Sequence, residues 1–190
     1  MRHKYETRGI VLARSSVGEF STFVVVLTPE LGLVRALAQS VRKSGAKLSA
    51  ALATFAESEV VLVHGREGWR VAGSVLEENW FKKIGENAAR RRRAARVSGL
   101  LLRLVAGEAH NPELFLIIKG FFSALATLPD DAHEAAEVLA ALRILSALGL
   151  DAGEIPGKSS AFTPQLLSSV SSGRTSYISR INRGIEASGL

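Results

Sequence analysis

The feature that most constrains this chain is the run Phe23-Val24-Val25-Val26-Leu27-Thr28, followed at once by Pro29-Glu30-Leu31-Gly32. An uninterrupted β-branched run is what a buried strand requires. Proline suits the second position of a turn, and glycine can take φ > 0, so the chain is expected to reverse there. Leu33-Val34-Arg35-Ala36-Leu37-Ala38 then returns as a third strand, which predicts a hairpin.

The neighbouring segments extend this pattern. Ile10-Val11-Leu12, flanked by Arg8 and Arg14, is a first strand. Val41 to Lys47 breaks the pattern with charge, serine and Gly45. Leu48, Ala51, Leu52 and Phe55 then fall on one face of a short helix. Glu59 to Val63 is a fourth strand, Gly65-Arg66-Glu67-Gly68 a hairpin loop, and Trp69 to Leu76 a fifth strand with Trp69, Val71, Gly73 and Val75 on one face. Three strands, a short helix and two strands is the element order of an OB-fold.

From Phe81 onward the period is helical. Glu86 to Ala106 is rich in Ala, Leu and Arg, and Asn111-Pro112 starts a further helix, with Asn as N-cap and Pro at the first helical position. Asp130 or Asp131 caps another, which runs to Leu148 and stops at Gly149. Residues 151–173 are rich in Ser and Gly, with a short helical piece from Gln165 to Val170, and Ser176 to Ala187 is a last helix. The expected fold is therefore α+β. A five-stranded OB-fold barrel over residues 1–80 precedes an all-α domain over 81–190 with a loosely ordered 151–173 segment.

Charge and residue usage narrow the function. The 190 residues carry a formal net charge of +6, with a pI near 10.1, which favours nucleic acid, anionic lipid or an acidic peptide as partner. Absence of cysteine excludes a disulfide framework and a thiolate zinc site. His3, His64, His110 and His133 lack metal-ligand spacing. Glu77 and Glu78 would face opposite sides of a strand, a poor acid/base pair. No phosphate-cradling glycine loop, nucleophile elbow or HExxH helix occurs. A binding protein is expected rather than an enzyme, with no cofactor and no metal. The N-terminus lacks the apolar stretch of a signal peptide, and Val97 to Ala106 is interrupted by Arg103, so a soluble, cytoplasmic protein is expected.

An ordered series of short motifs carries a resemblance. Gly9-Ile10-Val11-Leu12, Gly18-Glu19 and Thr28-Pro29-Glu30-Leu31-Gly32-Leu33 are similar to the N-terminal domain of the RecO recombination mediators. So are Ala38-Gln39-Ser40-Val41-Arg42-Lys43-Ser44, Lys47-Leu48 and Ala50-Ala51-Leu52-Ala53-Thr54-Phe55. The match covers roughly residues 6–80. Leu142 to Leu150 resembles, more weakly, the end of that family's helical domain. The four-cysteine zinc site of many members is absent, Ser40 stands where the family usually has glycine, and the chain is shorter than a usual member. The resemblance implies a DNA repair and recombination mediator. Such a protein binds single- and double-stranded DNA, anneals complementary strands, contacts the acidic tail of single-strand-binding protein, and helps load the RecA recombinase together with a RecR-like partner.

The residues suited to that role are cations. Arg35, Arg42, Lys43 and Lys47 fall in a stretch without acidic residues, and Arg2, Lys4 and Arg14 lie at nearby strand ends. Phosphate binding needs an array of cations, because counterion release supplies most non-specific affinity; the alternative is loops charged for solubility. Arg90, Arg91, Arg92, Arg93 and Arg96 form a secondary basic site on a predicted helix, or else a solvated face whose stems lie on apolar neighbours. Among the aromatics, Phe23, Phe55 and Trp69 fit core positions, while Phe20 is expected to be exposed, so backbone electrostatics should outweigh base stacking. The competing reading is an OB-fold adaptor for structured RNA or an acidic protein partner.

Overall fold

A computed structural model describes residues 3–39, 48–158 and 160–189. The chain divides into two compact units, Met1–Lys83 with Gly107–Phe115, and Ile84–Ala106 with Leu116–Leu190.

The first unit is a closed barrel of strands β1 (His3–Val17), β2 (Ser21–Thr28), β3 (Gly32–Ala38), β4 (Ala56–Gly65) and β5 (Gly68–Asn79), in the order β1-β2-β3-β5-β4. Helix α1 (Leu48–Ala51) lies between β3 and β4. The barrel is the OB-fold expected from the element order. All pairings are antiparallel except the closing one, where β3 meets β5 in parallel at Ala36–Trp69 and Leu37–Arg70.

Strand alternation decides what fills the barrel. Every second residue of β2 and β3 points inward, so Val24, Val26, Val34, Ala36 and Ala38 meet Val60, Leu62, Trp69 and Val71 from β4 and β5 in one buried cluster, joined by Val11 and Leu52. The remaining residues of the same strands must face out.

Three local expectations are corrected. β1 runs over fifteen residues, far beyond Ile10-Val11-Leu12, because its polar ends pair with β4 and β2. The helix predicted from Leu48 to Phe55 stops after Ala51, and Phe55 takes φ 63°, turning the chain into β4. Val75 does not share the face of Trp69 and Val71. Leu62 pairs with Val71 and Val61 with Gly73, so Ala72 is an extra residue in β5. That bulge flips the later residues, leaving Val75 65% exposed beside outward-facing Glu59.

The segment Gly107–Phe115 belongs to the barrel's unit and packs on the β2–β3 turn. Trp69 Nε1 donates to Glu108 Oε1 at 2.5 Å, and His110 Nδ1 lies 3.0 Å from the Glu30 carbonyl. At Gly32, with φ 71°, a Cβ would meet the Ala109 carbonyl oxygen at 2.2 Å.

The second unit contains α3 (Ala88–Leu104), most of α4 (Pro112–Thr127), α5 (His133–Ala147), α6 (Pro164–Ser172) and α7 (Arg174–Ala187), while the short α2 (Trp80–Ile84) joins the units. The Asn87 side chain caps α3 by accepting from the Ala89 and Arg90 amides. Helix α5 is central: Leu139, Ala140, Leu142, Ile144 and Leu145 are fully buried, and it packs on α3, α6 and α7. Residues 151–158 and 160–163 form no helix or strand. Buried Arg143 donates to the Pro156 and Ala161 carbonyls, and Arg180 donates to both Asp151 oxygens and to the Glu154 carbonyl. Among the described residues no helix is long and apolar enough to cross a membrane.

His133 is buried and hydrogen-bonds the Leu128 carbonyl through Nε2 at 2.9 Å. Burial pushes its pKa below the ordinary 6.5, with Arg90 and Arg93 acting the same way against the Leu128 carbonyl and Asp130. A histidine depressed in the folded state contributes stability that is present above its unfolded pKa and lost as pH falls below it. Unfolding free energy should therefore fall between pH 7 and pH 5, with this one group supplying at most about 1.4 kcal/mol per pH unit. His133→Phe should flatten that part of the denaturation-versus-pH curve. Separately, Gly32→Ala should cost about 1–3 kcal/mol in denaturant unfolding, because it adds both a left-handed backbone penalty and a clash with Ala109.

Candidate nucleic-acid interface

The outward residues of β1, β2, β3 and β5 form two rows. Ala13, Val25 and Arg35 are paired across β1, β2 and β3, and Ser15, Phe23, Leu37 and Arg70 are paired across β1, β2, β3 and β5. The second row continues through Val63 on β4 to Lys4 at the start of β1. Arg35 is exposed and makes no ion pair with a described residue; its guanidinium lies 4.4 Å from the centre of the Phe23 ring. Such a contact at an exposed site contributes about 0.5–1 kcal/mol and favours the guanidinium staying over the ring.

Phe23 is therefore not a core residue, which corrects the sequence expectation; Phe55 and Trp69 are buried as expected. The reason is register. Val24 and Val26 take the inward positions, which leaves Phe23 and Val25 outside. Phe20 is 49% exposed on the β1–β2 turn, as expected.

A groove of about 630 Å³ adjoins the second row, lined by Leu37, Gln39, Val63, Arg66, Glu67 and Arg70 among others. The β4–β5 turn that forms one wall puts Arg66 and Arg70 beside the face of β3. Glu67 pairs with Arg70, so that cation is partly neutralised. Sequence reasoning treated this turn only as a hairpin connection. The signal for its cations was the spacing of Arg66 and Arg70 around Gly68, and it becomes meaningful only once β5 closes against β3.

The predicted site residues divide. Arg14 pairs with inward-facing Val24 and so lies on the opposite face of the hairpin from Arg35; it is exposed and makes no ion pair with a described residue. Lys4 is ion-paired with Glu6 at 2.5 Å, both side chains being more than half exposed. That contact lowers the Glu6 pKa, first through the hydrogen bond and then through charge. Arg2, Arg42, Lys43 and Lys47 lie outside the described residues.

The secondary basic site is largely paired within its own unit. Arg90 bridges to Asp130 at 2.7 Å, and its hydrogen bond holds that carboxyl below the usual range. Arg93 and Arg96 both bridge to Glu137, Arg96 through two hydrogen bonds at 2.5 and 2.8 Å that raise its pKa. Arg91 donates to the Gly85 carbonyl at 2.8 Å. Arg92 is exposed without an ion pair to a described residue. Among the described residues no cluster of three or more His, Asp or Glu could hold a metal ion.

Comparison with known proteins bears on this barrel. The family described as "Recombination protein O N terminal" matches residues 1–72, which hold β1 to β4 and the start of β5. A protein of Dehalococcoides mccartyi named DNA repair protein RecO is 34% identical over 116 residues, 61% of this chain and 46% of the relative. One of the same name from Roseiflexus sp. is 32% identical over 121 residues, 64% of this chain and 42% of the relative. Over residues 1–72 the chain is similar to the N-terminal domain of the RecO family. The chain spans less than half the length of these curated relatives.

The placement of Phe23 has a direct check. Phe23→Leu should cost less than about 1 kcal/mol in denaturant unfolding, the scale of an exposed cross-strand and cation–π contact. Leu62→Ala, inside the barrel, should cost about 2–5 kcal/mol. Equal losses would contradict the outward position of the ring.

Proposed function

We propose that this chain is a DNA repair protein that binds DNA without base readout through the outer face of β2 and β3 and the β4–β5 turn. The observation that carries the reading is Arg35. Among the described residues it has no carboxylate partner, and it lies on the sheet face that, with the β4–β5 turn, OB-folds use for oligonucleotides. Arg66 and Arg70 border the same face, and the chain's excess of positive charge favours a polyanion. Arg42, Lys43, Lys47 and Arg2 are assigned to the same site from sequence, with Arg14 and Lys4 at its margin. Arg92 is the member of the helical row with least competition from the protein's own carboxylates.

The family supports the wider role. The relatives are named for DNA repair, and recombination mediation is the activity proposed here. In that activity the chain holds single and double strands, anneals complementary ones, and assists recombinase loading on strands coated with single-strand-binding protein. The acidic tail of that protein and a RecR-like subunit are the proposed partners, the barrel over residues 1–80 is the proposed nucleic-acid-binding domain, and no catalytic step is assigned.

Titration with a mixed-sequence single strand across a salt series tests this. The wild-type chain should show a log–log slope corresponding to about four or more released ions. Arg35→Glu combined with Arg70→Glu should weaken binding and reduce the slope by about one to two. Unchanged affinity and slope in the double variant would remove the interface, and binding confined to structured RNA would favour an RNA adaptor instead.

A further inference from the structure

We infer that the Arg35–Phe23 pair is a stacking platform for an unpaired nucleobase, which makes the ligand of this face a single strand with splayed bases. The inference deepens the reading of the barrel face as a DNA site and rests on it. A face serving phosphates alone needs only point charges, and an arginine in that role extends into solvent to meet them. Arg35 does the reverse. Its guanidinium lies over the Phe23 ring at 4.4 Å, with no carboxylate among the described residues holding it there.

A guanidinium is planar, and one held over a ring can offer a nucleobase its plane or share the ring with it; unstacked bases are bound by both aromatic rings and guanidinium planes. The pinning also removes rotamer freedom before the ligand arrives, so less is lost on binding. The surroundings suit a base. Leu37 is paired directly across from Phe23, Val25 lies directly across from Arg35, and both are half-buried. Arg70, next to Leu37 across the β3–β5 closure, stands where the phosphate of a stacked nucleotide could be met. Bases inside a duplex are already stacked and do not offer their faces to such a surface. The platform therefore discriminates single from double strands, whereas the remaining cations of the face do not.

The test compares two single strands of equal length and charge, one with natural bases and one with abasic sites throughout. Each is titrated against the full 190-residue chain at one salt concentration. The wild-type chain should bind the natural strand about 5- to 30-fold more tightly, the scale of one to two kcal/mol for a stacked base. Phe23→Leu and Arg35→Lys should each erase most of that preference, and Phe23→Leu, which alters no charge, should change affinity for the abasic strand by less than about twofold. Equal wild-type affinity for the two strands overturns the platform and leaves the phosphate-binding face standing. So does a Phe23→Leu variant that weakens both strands equally. Failure of the wild-type chain to bind either strand overturns the DNA face itself, and the platform with it. The wild-type comparison requires no substitution, so a variant that folds poorly does not decide the outcome.

Discussion

Closure of β3 against β5 is the constraint on which the rest of the first unit depends. Among the described residues Ala36–Trp69 and Leu37–Arg70 are the paired positions of that contact, yet it turns a meander into a barrel with a single inside. Once an inside exists, alternation leaves no freedom. Val24, Val26, Val34 and Ala36 pack with Leu62 and Val71, and their neighbours Phe23, Val25, Arg35 and Leu37 are pushed onto the outer surface. The same two pairs bring the β4–β5 turn, with Arg66 and Arg70, beside β3. The core and the surface proposed for DNA are consequences of one register.

Positive charge alone would have pointed elsewhere. The densest cationic stretch is Arg90 to Arg96, yet Arg90, Arg93 and Arg96 are occupied by Asp130 and Glu137 within the helical unit. Such pairs contribute little to stability when exposed and remove the cation from easy use by a polyanion. Arg35 is a single residue, but its charge is unopposed among described residues and its guanidinium lies over the Phe23 ring. The distinction that matters is which cations the fold has already spent on itself, and that depends on tertiary partners.

Much of the fold was legible in the sequence. The run Phe23–Thr28, the turn after it and the return through Ala38 specify a hairpin by composition alone, and Asn111-Pro112 and Gly149 mark helix ends by capping chemistry. What was hidden is whatever depends on a partner strand. Val75 reads as a core residue until the extra residue at Ala72 shifts β5 against β4. Phe23 reads as core because aromatic residues usually are, and only the inward Val24 excludes it. The true length of β1 is masked by polar residues whose backbone pairs regardless of side chain. Of the candidate site, Arg35 was found from charge, whereas Arg66 and Arg70 needed barrel closure to acquire a meaning. The segment Val41 to Lys47, the most basic loop of the sequence reading, lies outside the described residues.

The central claim is that the outer face of β2 and β3 meets DNA. Amide-resolved NMR of the full chain, titrated with a short single strand, tests it most directly. The account predicts that the resonances which move with saturation are those of Phe23, Val25, Arg35, Leu37 and the β4–β5 turn, with the inward-facing and helical residues nearly still. Saturable shifts confined to the helical unit, with the β2–β3 face unmoved, would contradict it.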